Sequence, residues 1–163
     1  MAKYTRKGVE LDKKDEELLW LLTKNCRLPL KELAKKTGLT VDSVFRRMKF
    51  YEEKGVIDKY TADLRLKYLG LNLVVYVPVK FKNMSQERFK EFLDFLIDCR
   101  WVAEFSTTMG DHDMSITLAV KDNEHFEEIT RQIRNKFKDI IDRWESVPVM
   151  KTYKYNYVEI KQD

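Results

Sequence analysis

Apolar positions along the first third of the chain recur at helical spacing. Leu11, Leu18, Leu19 and Leu22 share one face of a 3.6-residue period. Asp12 stands where an N-cap is wanted, and Asp15, Glu16 and Glu17 fill the first turn, so a helix to about Lys24 is predicted. The stretch "NCRLP" interrupts the period, and Pro29 suits the start of a second helix carrying Leu30, Leu33 and Ala34 up to Thr37-Gly38. Thr40 can cap a third helix whose inward stripe is Val41, Val44, Met48 and Tyr51. Gly55 ends it, and Val56-Ile57 returns to the core.

Beyond residue 70 the period changes. "LNLVVYVPVKF" alternates as a strand does, with Pro78 suggesting an edge or a bulge. Ser85 can cap a helix with Phe89, Phe92, Leu93 and Leu96 on its apolar face. "WVAEFSTTM" and "DMSITLAV" read as two strands joined at Gly110-Asp111. Phe126, Ile129, Ile133 and Phe137 mark another amphipathic helix, and "IDRWESVPVM" a fourth strand. Tyr153, Tyr155 and Tyr157 alternate as an extra strand would, and packing explains them better than base stacking.

The predicted fold class is α+β. A three-helix, winged or helix-turn-helix domain over 1–57, with 1–10 as a flexible arm, is followed by a connector over 58–70. A ferredoxin-like βαββαβ sandwich then covers 71–163, its antiparallel sheet carrying both helices on one face.

A tight glycine turn between the second and third helices is the helix-turn-helix arrangement. With Val44, Met48 and Tyr51 inward, Asp42, Ser43, Phe45, Arg46 and Lys49 point outward. An exposed phenylalanine among basic and hydroxyl side chains suits a face that meets thymine methyls and phosphates. A merely solvated amphipathic face is the plainer alternative. Arg47 lies beside the inward stripe, and two roles stay open for it: pairing with Asp15 or Glu16, or contacting phosphate.

Charge favours the first alternative for the face. The net charge of +4 is unevenly held. Residues 1–69 contain 17 Lys and Arg against 11 Asp and Glu, while the remainder contains 14 against 16. The positive surplus sits with the three helices, as expected of a domain that binds a polyanion.

Other chemistries find little support. No apolar run approaches the length of a membrane span, and "MAKYTRKGVE" lacks the core of a signal peptide, so a cytoplasmic location is expected. Cys26 and Cys99 lack metal-ligand spacing and read as small hydrophobes; no metal or other cofactor is expected. His112 and His125 belong to no catalytic constellation, and neither a glycine-rich phosphate loop nor a Gly-x-Ser-x-Gly turn occurs. His125 reads as a surface residue, and His112 as an exposed turn residue or an effector contact.

Residues 11–57 resemble the N-terminal domain of the Lrp/AsnC family of transcription regulators. The resemblance is carried by Leu11-Asp12, Asp15, Arg27, Glu32-Leu33-Ala34, Gly38-Leu39-Thr40, Arg47, Glu52 and Gly55-Val56-Ile57. Asp42, Phe50 and Tyr51 depart from the family pattern. The second part resembles the family's RAM domain, with Gly110, Asp111 and Asp113 of "MGDHDMSI" at the motif positions. Ile140, where a glycine is common, and Trp144, near positions where small hydroxyl residues are common, depart from it.

The resemblance implies a sequence-specific transcription regulator that binds double-stranded DNA through Thr40, Asp42, Ser43, Phe45, Arg46, Arg47 and Lys49. It also implies a small effector such as an amino acid, held by Gly110, Asp111 and Asp113, and a homodimer assembling further, to an octamer. Two other readings differ from this one. An architectural DNA-coating protein would have no effector. A siroheme decarboxylase, similar in fold, would bind an acidic tetrapyrrole that Asp111 and Asp113 would repel.

Overall fold

The computed structural model describes residues 9–154. Most of the predicted N-terminal arm, and Tyr155 and Tyr157 of the predicted extra strand, lie outside them. The chain divides into two compact units, one holding the residues up to Asp63 and the other Leu64–Tyr153.

Three helices build the first unit: α1 (Lys13–Lys24), α2 (Leu30–Thr37) and α3 (Val41–Glu53). Their ends are chemically specified. Asp12 and Asp15 form a capping box at α1, each side chain accepting from the other's backbone N–H. Thr40 caps α3 by accepting from the Ser43 N–H at 3.2 Å. Between α2 and α3 the chain turns at Gly38, whose φ of 68° is left-handed; nothing crowds the position, so the backbone angle alone calls for glycine.

Leu18, Leu19, Leu22, Leu33, Ala34, Val44 and Tyr51 form the buried core of this unit, with Met48 packed partly against it. The predicted inward stripe needs one correction. Val41 is 42 % exposed, because a side chain in the first turn tilts toward the helix start and so past the edge of the core.

The second unit opens with a short 3₁₀ turn, Leu66–Leu69, ended by Gly70. There follow β1 (Leu73–Phe81), α4 (Gln86–Asp98), β2 (Val102–Thr107), β3 (Met114–Val120), α5 (Asn123–Lys136), β4 (Ile141–Trp144) and β5 (Val147–Pro148). The sheet is antiparallel in the order β2-β3-β1-β4, with β5 also pairing with β1. Val75, Val77 and Val79 alternate into a core shared with Met114, Ile116, Leu118 and Val120 of β3. Phe92 of α4 meets Phe81 and Phe137 edge-on at 5.3 and 4.9 Å between ring centres.

Two strand expectations change. The predicted fourth strand is interrupted after Trp144, and both its pieces pair with β1. Pro78 lies not on an edge strand but in the central one. Its carbonyl accepts from the Glu145 N–H at 3.1 Å, so its missing N–H faces the same neighbour, where β4 gives way to β5. Ile140, one of the departures noted above, is buried in the core against Phe137 and its neighbours.

Candidate nucleic-acid interface and ligand loop

The outward face of α3 carries the predicted contact residues in two tiers. Phe45, Arg46 and Lys49 are exposed, and so are Thr40 and Asp42 at the start of the helix; Ser43 is half-buried. The Arg46 Nε meets Asp42 Oδ2 at 3.1 Å, one helical turn away, with both side chains about three-quarters exposed. So exposed a pair holds the guanidinium only loosely. The Lys49 Nζ lies 5.2 Å from the centre of the Phe45 ring, leaving an ammonium on an apolar plate at the middle of the helix.

Arg47 answers the question the sequence left open. Its guanidinium grips Asp12 at 2.8 Å and Asp15, both at the start of α1. The Tyr51 hydroxyl donates to the same Asp15 carboxylate at 2.6 Å. Arg47 is therefore turned away from the outward set and clamps α3 to α1, because a nearly buried Asp15 needs a cation beside it. The bond from Arg47, with the Asp15 N–H next in size, draws the Asp12 carboxyl down to about 2. Burial, then the bond to Asp15, pushes the Tyr51 hydroxyl well above its ordinary value. The sequence marked Tyr51 only as an apolar stripe residue; its polar tip was missed, although the tyrosine at this position was visible as a departure.

In the second unit, Gly110 has φ 127°, a backbone state that favours glycine. Asp111 beside it is exposed, and its backbone carbonyl accepts from Arg143 at 3.5 Å. Asp113 is used differently. One oxygen meets the Lys80 Nζ at 2.9 Å and the other accepts from the Phe81 N–H at 2.8 Å. These two bonds, the backbone one first, hold its carboxyl below the ordinary range. The structure thus separates the loop residues: Asp113 pins the start of β3 to the end of β1, and Asp111 faces solvent. His112 meets Glu145 at 3.1 Å, joining the loop to the corner after β4.

Among the described residues no group of His, Cys, Asp or Glu is arranged to hold a metal ion, and no helix is long and apolar enough to cross a membrane. Cys26 and Cys99 are free and half-buried.

Residues 11–58 match the family model for winged helix-turn-helix DNA-binding domains, and residues 74–159 match that of the Lrp/AsnC ligand binding domain. The chain belongs to the Lrp/AsnC family of transcription regulators. Its relatives include the HTH-type transcriptional regulator FL11 of Pyrococcus furiosus, 30% identical over 84% of this chain and 83% of the relative. LrpA of Pyrococcus horikoshii is 33% identical over 80% and 88%.

Solved Lrp/AsnC structures share the fold. An AsnC family regulator from Agrobacterium tumefaciens superposes with a TM-score of 0.82 at 28% identity, covering 89% of this chain and 94% of the other. A transcriptional regulator from Neisseria meningitidis, solved as a complex with L-Met, gives 0.83 at 23% identity over 90% and 94%. Within the Lrp/AsnC plan, this chain is a DNA-binding regulator with a ligand-binding second part.

Proposed function

We propose that the protein is a cytoplasmic, dimeric regulator that reads its operator with the exposed face of α3 and answers to an amino acid at the Gly110 loop. The observation that carries the reading is the division of the arginines on α3. Arg47 is engaged with α1, while Arg46 stands outward with Phe45 and Lys49 on a helix that follows a left-handed glycine turn.

Arg46 supplies the fork that a guanine edge accepts, Phe45 an apolar surface for a thymine methyl, and Lys49 a phosphate contact. Ser43 and Thr40 add hydroxyls near the helix start, though the Thr40 oxygen already caps α3. Asp42 pairs loosely with Arg46 off DNA and offers an acceptor to a cytosine amino group on it.

On the effector side, Asp111 is suited to an ammonium and the Gly110 backbone to close approach. The engagement of both Asp113 oxygens argues for a supporting role there. The L-Met complex of the Neisseria meningitidis regulator favours an amino acid as the ligand class. One helix-turn-helix covers half a site, which supports a dimer; the family resemblance supports assembly to an octamer.

Gel-shift titration tests the DNA half. Arg46→Ala should weaken operator binding about fivefold to 150-fold, the worth of a bidentate base contact. Lys49→Ala should weaken all sequences alike and lower the salt slope by about one. Parent-like binding by Arg46→Ala at physiological salt would remove α3 as the reader.

A further inference from the structure

Two apolar side chains on α3 stand in solvent and take no part in the core. Val41 is 42 % exposed and Phe45 45 % exposed. Neither belongs to the buried cluster of this unit or to the residues packed against it, a role that Leu39 and Val44 fill at this end of the helix. A β-branched valine in the first turn adds nothing to helix propensity either. One such residue on a surface is ordinary. Two of them at i and i+4 are neighbours on a single strip of the helix.

The strip continues to Lys49 at i+8, whose ammonium lies 5.2 Å from the centre of the Phe45 ring. Beside it runs a second column, Asp42 and Arg46, paired at 3.1 Å. The outward face of α3 is thus two columns side by side, one apolar and ending in a cation, the other ionic. The two columns suit different chemistry. Asp42 and Arg46 match the donors and acceptors of base edges, whereas the apolar group that the major groove offers is the C5-methyl of thymine. Side chains three or four residues apart on a reading helix reach neighbouring base pairs. Cβ atoms about 5–6 Å apart cover about two steps of a duplex that rises about 3.4 Å per step.

We propose that Val41 and Phe45 together read two thymine methyls in each half-site, on base pairs no more than two steps apart. Val41 covers one methyl and the Phe45 ring the other, which leaves Asp42 and Arg46 for the polar edges of bases beside them. The inference rests on the reading of α3 given above; it adds Val41 to the selective residues and fixes a spacing in the operator.

Duplexes bound by the full chain are first selected from a random pool, which gives the half-site. Each thymine of one half-site is then replaced by deoxyuridine, which removes the methyl and keeps the base pairing, and affinity is read by gel shift at fixed salt. Two thymines no more than two steps apart should each lose about fourfold, the worth of one buried methyl. The loss at one should vanish in Val41→Ser and the loss at the other in Phe45→Ser, because a contact already removed cannot be removed again. Both side chains are exposed, so the thermal unfolding of the two variants should follow the parent.

Methyl losses that persist undiminished in both variants overturn the proposal, since the methyls are then sensed elsewhere or through the stiffness of the duplex. Loss at a single thymine, cancelled by Phe45→Ser alone, overturns the paired reading. Indifference to every deoxyuridine, with Arg46→Ala still weakening the complex, overturns the proposal and leaves α3 as the reader. Parent-like binding by Arg46→Ala, Val41→Ser and Phe45→Ser alike removes α3 itself, and the proposal falls with it.

Discussion

Two side chains separate structure from recognition on one helix. Arg47 and Tyr51 both reach the Asp15 carboxylate, and Arg47 also holds Asp12. Removing the cation strands a nearly buried carboxylate, so Arg47→Met should cost about 3 kcal/mol, the low end for a broken buried pair because Arg47 keeps some solvent contact. Tyr51→Phe should cost about 1.5–3 kcal/mol, the worth of a hydrogen bond to a charged group. The two share a partner, so the double variant should lose less than the sum. Acid should act through the same clamp. Asp12 is drawn down to about 2 in the folded chain, below the usual carboxyl value near 4. Its contribution is therefore complete above about pH 4 and lost as pH falls toward 2. Urea unfolding of the parent should weaken across that window, and Arg47→Met should flatten this pH dependence. If Arg47→Met kept its stability and lost only DNA affinity, the arginine would be a phosphate contact after all.

At the scale of elements, α3 is a helix with three faces rather than two. Val44 and Tyr51 are fully buried, Met48 only partly, and Phe45, Arg46 and Lys49 are exposed. Met48→Ala should then cost about 1–2 kcal/mol, less than the 2–5 of a fully buried methionine, while Lys49→Ala should stay within about 0.5 kcal/mol. Equal shifts in thermal unfolding would mean that α3 is rotated from this setting. Helix starts were legible in the sequence because caps are local: Asp12, Thr40 and Ser85 each bond a backbone N–H within three residues. The break between β4 and β5 was not, because it lies opposite Pro78, a residue distant in sequence that meets the strand only in the folded sheet. Tertiary bonds escaped for the same reason. The Asp113 tie to Lys80 and Phe81 leaves no periodic trace. Of the loop at Gly110 the sequence showed the residue types, and only the structure divided the labour between Asp111 and Asp113.

The whole molecule places its positive charge with its first three helices: residues 1–69 carry the surplus and the remainder a slight deficit. Attraction to phosphate is thus local to the reading unit, and binding should weaken as salt rises, with a slope set by the number of phosphates contacted. That long-range term brings the protein to any duplex; it does not choose a site. On the reading proposed above, choice falls to a few side chains on α3, and one such helix spans too few base pairs to be selective alone. Two copies related by a two-fold axis double the readout, provided that their half-sites lie on the same side of the duplex. The expected operator is accordingly an inverted repeat with centres about one helical turn, or a whole number of turns, apart. Inserting about 5 base pairs between the half-sites turns one half to the opposite side and should abolish the two-chain complex, whereas about 10 base pairs should restore much of it. Sedimentation of labelled operator gives the stoichiometry directly. Two chains on the natural spacing and one on the half-turn insertion are expected; equal binding to both would mean that the copies engage DNA independently.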